Sequence, residues 1–253
     1  MKIIKDNTNT FPRRIWFEDG EIEALADKHR RDFFHLMGDT DSLILQVDKF
    51  IEIYLPGALH TEITFDPFAD FHDAGEPDTL GSTDFHEDRL EVKIERLITQ
   101  GAERSSWWGR YNTTVIHEAA HCILHPILFQ HDPYQQTLFP PVASKKISCL
   151  ERTIDGYYAG EWWEYQANQF MANILMPRQL FLSHFQEERD SWCVMNNHDL
   201  IKDYQYFSYV LWQLTRVFGV SKQAAKLRLF ELKQIPSLQQ EKLFEMDSSN
   251  FGR

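Results

Sequence analysis

His117, Glu118 and His121 stand in the order H-E-x-x-H, and these residue types at this spacing can hold and use a metal ion. On an α-helix, residues four apart lie on one face, one turn apart. Two neutral imidazoles placed so can reach a single metal at about 2.0–2.1 Å. Glu118 is turned about 100° further round the helix. It sits beside the metal rather than on it, where a general base can take a proton from water. The spacing therefore points to metal-assisted hydrolysis, and it is a pattern associated with peptide-bond cleavage.

Five residues alone do not make a site, so the elements that hold them matter. The run Thr114-Val115-Ile116-His117-Glu118-Ala119-Ala120-His121-Cys122-Ile123-Leu124 is apolar nearly all round, which predicts a buried helix. Two histidines and a glutamate in such a helix need partners, and a metal supplies them. Catalytic zinc commonly takes three protein ligands, two histidines and a glutamate being one such set. A second helix bearing a carboxylate is then required. Residues 161–177 have apolar and aromatic side chains at helical spacing and end at Pro177. Glu164 and Asn168 are four apart on that helix and share a face. Glu164 is the candidate ligand. Asn168 is the candidate acceptor for the free ring N–H of a ligating histidine. Glu161, three residues earlier, competes with Glu164, although a solvated surface role suits it better.

With these residues in place, the chain resembles the ImmA/IrrE family of zincin-like metallo-endopeptidases. The resemblance rests on His117, Glu118 and His121, followed by Glu164, Ala167, Asn168, Phe170, Leu175, Met176 and Pro177. Thr114 fits the same pattern. Weaker likeness extends to Ile22-Glu23 with Ala26, to Leu80-Gly81-Ser82-Thr83, and to Leu214 through Leu232. Ala120 stands where the family commonly has glycine. The resemblance implies His117, His121 and Glu164 as zinc ligands and Glu118 as catalytic base. It also implies a regulatory protein substrate, typically a helix-turn-helix repressor. The metal itself, Zn2+ or another divalent ion, is chosen on ligand type rather than on affinity order.

The expected fold is α+β: a zincin-like metallopeptidase with a small N-terminal sheet, the H-E-x-x-H helix, a second ligand helix and a C-terminal helical appendage. Residues 1–185 are expected to form the peptidase domain, and residues 186–253 the helical region. A chain of 253 residues with 43% hydrophobic and 14% aromatic content can bury one large core. Its net charge of -12 argues against non-specific nucleic-acid binding. Cys122, Cys149 and Cys193 are widely spaced, with no C-x-x-C, and read as reduced buried thiols. The N-terminus lacks a signal-peptide pattern and no apolar run reaches the length of a membrane span. A soluble, cytoplasmic protein is expected.

Along the chain, residues 20–37 read as an amphipathic helix, and residues 43–54 favour helix. Glu62–Phe65 reads as a short strand and residues 66–88 as a solvated acidic loop. Leu90, Val92 and Ile94 alternate with charged residues as a half-buried strand. That strand is the expected edge strand for substrate backbone. His125, four after His121 and just before Pro126, is either a further ligand or a helix-terminal core residue, and the latter suits its position better. Residues 126–160 read as irregular, with Tyr157, Tyr158 and His131 as candidate oxyanion donors. Tyr204 to Phe218 reads as a helix, Gly219 as its stop and Ser221 as the N-cap of another over 222–233. Helix, turn and helix with Lys222, Lys226, Arg228 and Lys233 is also a DNA-binding outline. The alternative function is therefore a non-catalytic metal-binding regulator, or a DNA- or protein-binding module on the same scaffold. The apolar Ala224, Ala225, Leu227, Leu229 and Phe230 favour a packed appendage, so direct nucleic-acid binding is not expected.

Overall fold

The computed structural model describes residues 1–8, 10–11, 13–39, 42–102, 105–129, 146–154, 160–196 and 204–235. The chain opens with an antiparallel pair, β1 (Lys2–Lys5) and β2 (Arg13–Trp16), followed by α1 (Glu21–Met37). Gly38 ends α1 with φ +66°, the left-handed conformation that glycine adopts without a Cβ penalty. A continuous helical stretch follows: α2 (Val47–Lys49), a π-helical turn at Phe50–Tyr54, and α3 (Leu55–Leu59). Pro56 has no N–H to donate back to the preceding turn, which fits the widened winding just ahead of it.

Next come β3 (Glu62–Ala69), β4 (Thr79–Phe85), β5 (Arg89–Glu95), α4 (Arg96–Gly101) and α5 (Ser105–Leu124). After α5 lie β6 (Lys146–Leu150), α6 (Glu151–Ile154), α7 (Trp162–Leu175), α8 (Arg178–Asn196), α9 (Tyr204–Phe218) and α10 (Lys222–Glu231). The architecture is α+β. Among the described residues the larger sheet runs β3-β5-β4-β6, with β3 parallel to β5 and the other pairs antiparallel. Helix α5 lies across it, touching β4, β5 and β6, and α7 packs on α5 and α1.

Three sequence expectations need correction. Residues 66–88 are not a solvated loop: they complete β3, turn, and form β4, of which Thr79 to Thr83 are buried. Several of the acidic side chains are paired with cations in place. Arg96 pairs with Asp70 at 3.1 Å and Asp73 at 3.0 Å, Lys93 with Asp84 at 3.1 Å, and Lys146 with Glu76 at 3.2 Å. The buried Glu95 carboxylate accepts from the backbone N–H of Phe71 at 2.8 Å and of His72 at 3.3 Å, which fastens the turn. Second, β5 is not an edge strand. It lies between β3 and β4, and β6 is the terminal strand beside α5. Third, residues 126–160 contain that strand. Its Ile147 and Cys149 point inward, buried against the helix layer.

The C-terminal helices follow the sequence reading. Gly219 (φ +64°) ends α9, and the Ser221 hydroxyl accepts from the Ala224 N–H at 3.1 Å to start α10. Two buried arginines then close the end of α7. Arg30 of α1 donates to the Ile174 carbonyl at 2.9 Å. Arg228 of α10 donates to the Met176 carbonyl at 3.2 Å and to Asn173 Oδ1 at 2.7 Å. These donors satisfy acceptors that a helix C-terminus cannot satisfy alone. The α9–α10 turn also lies directly on α5. A Cβ at Gly109 would stand 2.2 Å from the Val220 carbonyl oxygen and 2.7 Å from Ser221 N. Both are backbone atoms that cannot swing aside.

Gly109→Ala is therefore expected to force the turn off α5 and to lower unfolding free energy by about 1–3 kcal/mol, the usual cost of overpacking. Urea denaturation measures it. A midpoint equal to that of the parent would show that this contact does not hold the two parts together.

Candidate active site

Helix α5 is buried on nearly every side from Tyr111 to Cys122, as its uninterrupted apolar run requires. His117, Glu118, His121 and His125 are all fully buried. Glu164 is 5% exposed on the facing helix α7. The two helices bring three donor atoms together. His117 Nε2 lies 3.0 Å from Glu164 Oε2 and 3.1 Å from His121 Nε2, and His121 Nε2 lies 3.4 Å from Glu164 Oε1. Corners of a tetrahedron with ligand bonds of about 2.0–2.1 Å are roughly 3.3 Å apart, so the donor atoms stand at coordination spacing.

The surrounding hydrogen bonds fix which nitrogens carry protons. Asn168 Oδ1 is 2.9 Å from His117 Nδ1 and can only accept, so Nδ1 is protonated and Nε2 keeps a lone pair. On the other side, Gln166 donates its amide N–H to the Ile15 carbonyl at 2.7 Å, which turns Gln166 Oε1 toward His125 Nε2 at 3.2 Å. His125 therefore carries its proton on Nε2, and its Nδ1 accepts from His121 Nδ1 at 2.9 Å. His121 Nε2 is left with a lone pair as well. With both rings neutral, three electron-rich atoms face one another among buried side chains, an arrangement that a cation relieves. Burial, together with neighbouring His117 and His125, holds His121 well below the usual imidazole range. Burial likewise pulls His125 down to about 3. Both are neutral, the state that a metal-ligating imidazole and its support would need.

Glu118 points elsewhere. Its Oε2 accepts from the Thr83 hydroxyl of β4 at 2.7 Å. Its Oε1 is buried without a hydrogen-bond partner, as is Glu164 Oε1. Gly81 permits this placement: a Cβ there would lie 2.8 Å from Glu118 Oε1. Burial pushes the Glu118 carboxyl up to about 8, a poise suited to exchanging protons near neutrality. Orphaned carboxylate oxygens and a His-His-Glu donor set both fit a divalent metal, and His117, His121 and Glu164 form a candidate metal site.

Other expectations fall differently. Glu161 lies just ahead of α7, about a third exposed, with Arg152 at 3.8 Å, and it does not join the donor cluster. His125 supports His121 rather than the metal cluster itself. Tyr157, Tyr158 and His131 lie outside the described residues. The His125–Gln166–Ile15 chain and the Thr83 clamp were not assigned from sequence. His125 was visible at its four-residue spacing, but Gln166 carried no signal of its own. Thr83 was hidden inside a segment taken for a loop.

Residues 142–230 match the family model described as Peptidase_M78, IrrE N-terminal-like domain. Over that segment the chain is similar to the metallopeptidase domain of the ImmA/IrrE family. The match includes α7 and Glu164 but not the H-E-x-x-H residues of α5, which lie ahead of it. The buried triad joins the two segments. No curated protein matches the chain. The matched family is one of metallopeptidases, whose substrates are proteins, and among the described residues no helix is long and apolar enough to cross a membrane. The DNA-binding outline of α9 and α10 loses one of its four basic residues, because Arg228 is 1% exposed and bonded to α7.

Removing either supporting residue frees a ligand ring to rotate or change tautomer. His125→Ala and Asn168→Ala are each expected to weaken metal binding by about 10–100-fold. Competition against a coloured chelator reads this directly, and parental affinity in both variants would remove the supporting chain from the account.

Proposed function

We propose that the protein is a zinc-dependent endopeptidase, with His117, His121 and Glu164 as metal ligands and Glu118 as general base. The reading is carried by the convergence of three lone-pair donors on α5 and α7 beside a buried carboxylate with one free oxygen. Zinc suits two imidazoles and a carboxylate, and when bound it supplies Lewis acidity to the scissile carbonyl and to water. Glu118 takes the proton of the attacking water at Oε1 and delivers it to the departing amine nitrogen, which completes cleavage of the C–N bond. Thr83 holds the other carboxylate oxygen, so the proton-carrying oxygen keeps one orientation. Asn168 and His125 hold the rings of His117 and His121 throughout.

The substrate peptide is proposed to lie as an added strand on β6. That strand is terminal among the described residues, and its main chain can pair with an extended peptide. The cleft along it is lined by Lys146, Ser148, Leu150, Phe11 and Trp163, and it leads to Glu164. The family resemblance points to a helix-turn-helix repressor as the protein cut, in a cytoplasmic setting.

Two carboxylates with different roles give different losses. Glu118→Gln keeps the side-chain shape, so it is expected to retain one zinc per chain while cleavage falls by at least about 100-fold. Glu164→Ala is expected to lose zinc and cleavage together. Metal analysis beside a cleavage assay on a repressor encoded next to the gene separates them. Zinc lost from Glu118→Gln but kept by Glu164→Ala would reverse the assignment. Full cleavage by both variants would end the peptidase reading.

A further inference from the structure

Cys149 is a chemically soft side chain beside the metal cluster, and the reaction as derived gives it no task. It lies on β6, whose alternation turns Ile147 and Cys149 inward. Its register partner on β4 is Gly81, the residue that rests against Glu118 Oε1. Cys149 is fully buried, and its sulfur, a His117 nitrogen and a Glu118 oxygen all lie within 4.8 Å of one another. Asn168 occupies His117 Nδ1, and His117 Nε2 faces Glu164 and His121. His117 thus belongs to two donor groups at once, one with His121 and Glu164 and one with Glu118 and Cys149. Two buried carboxylate oxygens without partners, Glu118 Oε1 and Glu164 Oε1, border the same space.

We propose that Cys149 is a fourth metal ligand, which closes the coordination shell of the resting protein to His117, His121, Glu164 and Cys149. The proposal rests on the metallopeptidase reading and adds a latent state to it. Four protein ligands make a closed, structural-type zinc site, whereas catalysis needs an open position. With a metal held there, closing would cost the Cys149 thiol its proton to solvent, and its sulfur would take the place of a water. On opening, the sulfur–metal bond breaks, the thiolate recovers a proton from solvent, and water returns. A thiolate donor also biases the site toward zinc and away from magnesium, calcium or manganese. Because Cys149 lies on the strand proposed to pair with substrate, engagement of a peptide with β6 acts on the ligand that closes the site.

Cobalt(II) loaded into the full chain reports sulfur ligation through a near-ultraviolet thiolate-to-cobalt charge-transfer band. The parent is expected to show that band. Cys149→Ser and Cys149→Ala are expected to bind one cobalt per chain without it, and Cys122→Ser and Cys193→Ser to keep it. Acetohydroxamate, a metal-binding probe that needs free coordination positions, is expected to perturb the visible cobalt spectrum of Cys149→Ser at about tenfold lower concentration than in the parent, as loss of one metal-site group shifts affinity by about that factor or more. A parent that binds one cobalt but shows no band overturns the proposal and leaves the peptidase reading intact. A band that survives in Cys149→Ser overturns it too. A parent that binds no cobalt overturns both. Should both Cys149 variants fail to fold, the spectrum of the parent still decides.

Discussion

Three lone pairs aimed at one another inside the protein are the constraint on which the rest depends. His117 Nε2 and His121 Nε2 stand close to each other and to the Glu164 carboxylate, and with both rings neutral the bonds around them leave no proton to share between the two imidazoles. Bringing polar groups out of water without partners is costly. The fold accepts that cost in a core built largely of aliphatic and aromatic side chains. A cation turns the same arrangement from repulsive to favourable, so metal binding and stability of this region are coupled. The uncompensated oxygens of Glu118 and Glu164 belong to the same balance.

Much of the surrounding structure keeps α5 and α7 at the distance this requires. The two helices contact each other directly, and α7 is backed by α1. The end of α7 is tied from both sides, by Arg30 of α1 and Arg228 of α10. Even the N-terminal pair takes part: the Ile15 carbonyl of β2 orients Gln166, Gln166 orients His125, and His125 orients His121. A main-chain carbonyl more than a hundred residues away in sequence thereby sets the tautomer of a metal-facing ring. On the opposite side, β4 supplies Thr83 and Gly81, one to hold Glu118 and one to leave room for it.

The parts legible in the sequence were those with a local period. His117 and His121 share a face by helical spacing alone, and Glu164 and Asn168 repeat the same spacing on a helix that Pro177 ends. The Gly219 stop and Ser221 cap are equally local. What escaped was set by tertiary context. The β4 sequence Thr79-Leu80-Gly81-Ser82-Thr83-Asp84-Phe85 has weak strand propensity and lies in an acidic stretch; it becomes a strand because β5 and β6 pair with it on both sides. The alternation of β5 was readable, but alternation does not say which strands lie beside it. β6 follows a proline-containing segment that reads as loop, so the strand beside the active helix was assigned to the wrong element. Cys149 looked like an ordinary buried thiol until the register of β6 against Gly81 set it next to His117 and Glu118.

The central claim is that α5 and α7 form one metal centre. Anomalous diffraction at the zinc absorption edge, from crystals of the zinc-loaded full chain, tests it most directly. The account predicts one strong anomalous peak at bonding distance from His117 Nε2, His121 Nε2 and a Glu164 carboxylate oxygen, with Glu118 beside the metal and not bonded to it. A peak elsewhere, or no peak between these helices in a protein that carries zinc, would contradict it.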